Sequence, residues 1–174
     1  MFTTRIRFVL ILLFLIIGVI LQAKHGFSPA WYLYLTCLIL LFTHFAFGNV
    51  WAAFSKLQKG KILEAELLIN QIKRPEWLIK QNRTYYHFIK GMIALQQKNL
   101  SEGEEHLKIA VSRGLRSNND NALALLNLAH IGFLEKRYND SQSYLQQAQA
   151  FNPKDLMIKR KIDELENLLT HQID

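Results

Sequence analysis

Along the chain the apolar positions change their pattern once. Up to about residue 48 they run almost without interruption, in Phe8 to Leu21 (FVLILLFLIIGVIL) and again in Trp31 to Gly48 (WYLYLTCLILLFTHFAFG). The second run holds no Asp, Glu, Lys or Arg across 18 residues. Beyond it the apolar positions recur at three- and four-residue intervals, the signature of amphipathic helices. Breaks fall at Gly60, Arg74-Pro75, Gly114 to Asn121 and Asn152-Pro153. No segment alternates as a strand does, so the pattern predicts an all-α protein: a two-helix hairpin over 1–48 and a helical stack over 49–174.

The two apolar runs read as transmembrane spans, about 6–23 and 30–48, joined by a tight turn Lys24 to Pro29 (KHGFSP). Trp31, Tyr32 and Tyr34 open the second run and Trp51 follows it, where aromatic rings settle at headgroup level. The first run also fits a cleaved signal peptide, with Arg5 and Arg7 before it and Ala23 as cleavage residue, although Leu21 stands where a small residue is usual. Arg5 and Arg7 on one side and Lys56, Lys59 and Lys61 on the other place both termini and the stack in the cytoplasm, in the orientation of an inner-membrane protein. The second span is expected to continue directly as the first helix of the stack.

Charge sharpens this reading. The chain carries +7 over 174 residues, with nine basic against three acidic residues between 56 and 98 and a small acidic excess beyond. A basic face beside the hairpin suits an anionic leaflet, where a Lys or Arg at the surface contributes about 1 kcal/mol. The basic residues neither form a dense run nor interleave with aromatics, so nucleic acid is not the expected partner. The single cysteine, Cys37, permits no internal disulfide and reads as a buried thiol.

The helical part repeats. Ala53 to Ile72, Gly91 to Ala110 and Ala129 to Ala148 superpose at an offset of 38 residues. A small residue opens each segment (Ala53, Gly91, Ala129), a turn follows, and a second small residue stands twelve positions on (Ala65, Gly103, Ser141). Then come a large apolar residue (Ile69, Leu107, Leu145) and, three further, Ile72, Ala110 and Ala148. Small residues allow antiparallel helices to approach, and large ones fill the groove beside the crossing. The pattern writes a helix-turn-helix unit three times, over about 49–74, 82–115 and 120–153, with a capping helix at 154–171. Ser101 with Glu104 reads as a capping box, Asn139 with Gln142 as a similar start, and Gly114 as a C-terminal cap. In the capping helix the apolar side is read as Leu156, Ile162, Leu165, Leu168 and Leu169.

These columns resemble those of the tetratricopeptide repeat (TPR) family, most closely in the third copy, with Leu128-Ala129, Tyr138, Ser141, Leu145, Ala148 and the closing Pro153. The resemblance covers about residues 49–153, and its period of 38 exceeds the family's usual ~34. It implies a short α-solenoid whose first helices line a concave protein-binding surface. Carried over by position, that surface would present Tyr85, Phe88, Met92 and Leu95 from the second copy and Leu123, Leu126, His130 and Phe133 from the third. Being mostly apolar and without a basic clamp, it points to an apolar peptide or helix as ligand; buried core is the equal alternative for the same residues.

No enzyme is indicated. The six histidines show no metal-type spacing with Cys, Asp or Glu, and neither a phosphate loop nor a nucleophile motif is present, so no catalytic, cofactor or metal residue is named. The expectation is a membrane-anchored scaffold that binds a protein partner at the cytoplasmic face and also meets the lipid bilayer, with a homo-oligomer compatible. The alternative is a structural subunit of a larger membrane complex, held through its spans.

Overall fold

The computed structural model describes residues 4–25, 30–47 and 49–173, with side chains except at 4–8, 25, 42–47 and 173. Every regular element among them is helical: α1 (Thr4–His25), α2 (Trp31–Phe47), α3 (Val50–Gln58), α4 (Ile62–Asn70), a 3-10 turn Pro75–Trp77, α5 (Lys80–Gln96), α6 (Leu100–Arg113), α7 (Asn118–Leu134), α8 (Tyr138–Ala150) and α9 (Leu156–Ile173). The chain divides into two compact units, Met1–Gly48 with Glu76–Ile79, and Asn49–Pro75 with Lys80–Asp174.

In the first unit α1 and α2 pair as antiparallel helices. The Tyr34 hydroxyl donates to Gln22 Oε1 at 2.7 Å, its ring lies 3.2 Å from where a Cβ on Gly18 would stand, and the Cys37 thiol donates to the Ile11 carbonyl. Burial of that thiol raises its pKa. The transmembrane reading of this hairpin, and with it the inner-membrane location, is overturned: among the described residues no helix is long and apolar enough to cross a membrane. The lengths show why. Helix α2 has 17 residues, about 26 Å of rise against about 30 Å of hydrocarbon. In α1 the uncharged stretch from Phe8 to Ala23 is shorter still, and polar or charged residues occupy both ends of the helix. Nor does α2 run on into the stack, since it stops at Phe47 and a new helix begins at Val50. The turn read at Lys24 to Pro29 falls largely outside the described residues.

The second unit is three helical hairpins, α3–α4, α5–α6 and α7–α8, followed by α9. Their turns are copies of one another. Gly60, Lys98 and Lys136, 38 residues apart, all have left-handed backbone, with φ of 71°, 63° and 60°. The following N–H (Lys61, Asn99, Arg137) bonds back to the carbonyl of Lys56, Ala94 and Gly132, closing each first helix with the same 6→1 link. The carbonyls of Lys61, Asn99 and Arg137 then accept from Ala65, Gly103 and Ser141 to open each second helix.

Behind each turn the small column sits at the crossing. Ala53, Ala65, Gly91, Gly103, Ala129 and Ser141 are buried, as are Ile69, Leu107 and Leu145 beside them. A Cβ on Gly91 would stand 2.8 Å from Leu107 Cγ and 3.2 Å from the Gly103 carbonyl oxygen. The Ser141 hydroxyl donates to the Ala129 carbonyl at 2.7 Å, which satisfies its only buried polar atom across the same crossing.

The caps depart from the sequence reading. Helix α6 is capped by Asn99, whose side chain accepts the Glu102 N–H and donates to the Glu102 carboxylate, so the reciprocal pair lies two residues before Ser101 and Glu104. Helix α8 opens after Arg137 with no side-chain cap, and Asn139 is inside it. Gly114 closes α6 with φ 78°, as its position suggested. In α9 the buried stripe is Ile158, Ile162, Leu165 and Leu169, whereas Leu156 and Leu168 are 79% and 51% exposed. The four buried positions follow a single i, i+4, i+7, i+11 line, from which Leu156 is offset and Leu168 lies at the edge.

Two consequences can be measured by chemical denaturation. Replacing Lys98 or Lys136 by glycine removes a left-handed strain of about 1 kcal/mol and should raise stability by roughly 0.5 kcal/mol each, net of the glycine entropy. Gly91→Ala should cost about 2 kcal/mol, because its new methyl meets a branch carbon and a main-chain oxygen. Gly103→Ala should cost a similar amount, since its Cβ would stand 2.5 Å from Leu95 Cδ2 and 2.9 Å from Leu95 Cγ.

Candidate binding groove

The first helices of the hairpins, α3, α5 and α7, and then α9, share one concave side of the stack. Two adjoining cavities run along it. The larger, of about 1080 Å³, takes Phe54 and Leu57 from α3, Phe88, Met92 and Gln96 from α5, Asp120 and Leu123 from α7, and Ile158 and Lys161 from α9. The narrower, of about 420 Å³, shares Met92, Gln96, Leu123 and Lys161 with it and adds Leu126, Asn127, His130, Leu165 and Leu168. The repeat register generates this lining. Phe54, Met92, His130 and Leu168 stand at successive 38-residue steps and all four face the groove. Helix α9 is therefore a fourth first-helix, and the position that would continue the small column, Asn167, is polar and exposed, with no second helix packed on it among the described residues.

Of the eight residues drawn from the resemblance, the structure brings Met92, Leu123 and His130 to the groove wall. Phe88 and Leu126 form its floor, only 1% and 6% exposed. The other three lie elsewhere. Tyr85 is core: its ring stacks within 5 Å of Trp51 and Phe54, and its hydroxyl donates to Asp120 at 2.6 Å, joining the second hairpin to the third. Burial first, then the Asp120 carboxylate, raises the Tyr85 pKa far above the phenol range. Leu95 packs against Gly103, and Phe133 against Tyr138 beside the third turn. The contributions of Phe54, Gln58, Gln96, Lys161 and Leu168 went unnamed in the sequence reading. The 38-residue step carried past the third copy is the signal that finds Leu168.

No family model, curated protein or solved structure matches the chain. What the groove can do is therefore argued from its own residues.

Its apolar positions alternate with carboxamides, and much of its polar lining is committed to structure. Asn119 Oδ1 accepts from the Lys154 and Asp155 N–H groups and so ties the loop before α9 to α7. Asp155 in turn accepts from the Met157 N–H, and Asn127 donates to the Leu123 carbonyl. Gln58, Gln96, His130 and Lys161 are exposed along the rim. Such a lining buries an apolar side chain and offers amide hydrogen bonds to a main chain, without charge of one sign. Among the described residues no group of three or more His, Cys, Asp and Glu lies close enough to hold a metal.

Away from the groove, α5 and α6 face each other through His87 and His106, whose Nδ1 atoms are 3.0 Å apart. Burial, then His106, Arg113 and Arg83, lowers the His87 pKa to about 4; burial also lowers that of His106, against the opposing pull of Glu105 and Glu102. Burial thus favours the neutral form of both rings, which share one N–H···N hydrogen bond. Because the unfolded chain protonates His87 near pH 6.5 and the folded chain only near 4, the stability linked to His87 is fully present above about pH 6.5 and falls as pH drops toward 4. In EDTA, urea midpoints should show a loss of roughly 2 kcal/mol across that window, and His87→Gln should flatten the profile.

Proposed function

We propose that the helical stack is a non-enzymatic adaptor of the tetratricopeptide kind, which holds a short apolar segment of a protein partner in the groove of α3, α5, α7 and α9. The observation that carries this reading is the repeated column Phe54, Met92, His130 and Leu168, which sets side chains that are all at least partly exposed at regular steps along a cavity of about 1080 Å³ and its narrower neighbour. A groove of that regularity suits a ligand with its own short repeat, a helix or an extended strand of chain, more than a single compact molecule. The longer helices α5 and α7 also keep the floor of the groove preformed, which limits the ordering cost of binding.

A second reading, a structural subunit of a larger assembly, is favoured by the apolar side chains that α1 and α2 leave exposed, among them Val9, Leu12, Val19 and Leu38 at about 60% each. Photo-crosslinking in cells separates the two. A benzophenone side chain at Met92 or Leu168 should capture one discrete protein, and the same group at Gln147, on the outer face of α8, should not. Capture from Leu12 or Leu38 with none from Met92 or Leu168 overturns the groove reading in favour of the assembly. Met92→Glu with Leu123→Glu should remove the Leu168 adduct while the circular dichroism of the stack is retained, since neither residue is fully buried.

A further inference from the structure

The α3–α4 hairpin differs from the other two on the outer side of its second helix. Leu63 and Leu67, one turn apart on α4, are 76% and 69% exposed. Their counterparts one repeat on are Ser101 and Glu105 in α6, and two repeats on Asn139 and Ser143 in α8, all four polar and exposed. We propose that this face of α4, with the basic residues around it, docks on the surface of an anionic lipid bilayer and lies on the membrane without crossing it.

Charge complementarity is the first support. The segment Asn49–Pro75 holds Lys56, Lys59, Lys61, Lys73 and Arg74 against Glu64 and Glu66, five basic residues to two acidic ones. Both carboxylates are engaged: Glu64 accepts from the Lys56 and Lys61 ammonium groups, and Glu66 accepts from Gln97 Nε2 at 3.0 Å. Lys59 and Lys61 stand in the turn before α4, Lys73 and Arg74 just beyond its end, and all four are exposed. The nine residues of α4 rise only about 14 Å, so cations at its two ends can meet the same surface as the leucines between them. Lysine stems then lie along the apolar boundary while their ammonium groups meet lipid phosphates. The middle hairpin is basic too, but exposes no leucine on α6, and the third holds Lys136 and Arg137 against Asp120, Glu135 and Asp140. Exposed leucine and surplus cation coincide on α4 and on neither of the other second helices.

The size of the face is the second support. A stable protein complex, a second copy of this chain included, draws about 800 Å² from each partner, and one side of a helix about 14 Å long and about 10 Å across offers a fraction of that. A lipid surface asks for neither shape complementarity nor register. The apolar side of an interfacial helix sits about 5–10 Å into the boundary between headgroups and acyl chains, a depth that two leucine side chains one turn apart can occupy. Ala65 and Ile69, on the other side of α4, stay buried in the hairpin, so docking requires no unfolding. None of Lys59, Leu63, Leu67 and Lys73 lines the groove, and docking here does not occupy it.

A local probe on the full chain separates this contact from any made by α1 and α2. The chain carrying Cys37→Ser and Leu67→Cys is labelled with a polarity-sensitive fluorophore, and Cys37→Ser with Ser143→Cys carries the same label at the corresponding site of the third hairpin. Vesicles containing phosphatidylglycerol should shift the Leu67→Cys emission to the blue and leave that of Ser143→Cys unchanged, and vesicles of phosphatidylcholine alone should shift neither. Raising the salt from about 0.1 M to about 1 M shortens the screening length from about 10 Å to about 3 Å and should reverse the shift. Lys59→Gln and Lys73→Gln should each weaken the apparent affinity for the anionic vesicles by about fivefold, with the circular dichroism of the stack retained. No shift at position 67 on phosphatidylglycerol vesicles, even where the chain sediments with them, overturns the proposal. So does an equal shift on phosphatidylcholine alone or from Ser143→Cys, a shift that salt leaves in place, or one that grows with protein concentration in the absence of lipid, which marks a second copy on this face.

Discussion

The close approach of paired helices at small side chains is the constraint on which the rest of the stack depends. At Gly91 and Gly103 the two backbones come so near that a methyl group on either would overlap a leucine of the other helix, and at Ala129 and Ser141 the same closeness lets a hydroxyl reach a carbonyl at 2.7 Å. Everything lateral to the crossing follows from it. Large residues such as Leu107 and Leu145 occupy the space on either side, and the turn is short enough that a single left-handed residue suffices to reverse the chain. Where helices are held this tightly, as in α5 and α7, side chains on the far face of the first helix acquire fixed positions, and a groove results without any residue being devoted to shaping it.

Between hairpins a different set of forces operates. The first and second are joined by the rings of Trp51, Phe54, Tyr85 and Phe88, with the Trp51 indole N–H donating to the buried Asn82 side chain. The second and third are joined through Tyr85 and Asp120, and on the outer side through Arg137, which meets Glu104 across the gap as well as Glu135 and Asp140 on its own hairpin. The third and α9 are joined by apolar packing of Leu125, Leu126, Leu145 and Ala148 against Ile158, Ile162 and Leu165, with Gln149 donating to Glu166 and Tyr138 to Gln172 at the margin. Each junction thus combines apolar packing, which excludes water, with polar contacts that fix an angle.

The hairpins were legible in the sequence because a crossing demands small residues at a fixed spacing, and that demand survives when every other position varies. What lay beyond reach was the division of a first helix into two faces. Tyr85 and Met92 both belong to an apolar stripe, and only the packing of neighbouring hairpins decides that one is swallowed by rings while the other lines a wall. The uniformly apolar opening misled for a related reason. Hydrophobicity alone read as a pair of spans, whereas helix length and the polar ends of α1 leave no described helix that could cross a bilayer. The histidine pair was invisible because it forms between elements, and no spacing within either helix announces it.

The first hairpin is built from helices of only nine residues each, against thirteen to seventeen in the other two. Helices that short do not hold themselves in water, so α3 and α4 exist by leaning on α5, and the end of the stack they form is the part that yields at least cost. The wall that carries Phe54 and Leu57 is accordingly compliant, while the floor at Phe88 is not. One margin can adjust its width without disturbing the remainder, a tolerance for shape that a uniformly rigid trough would lack.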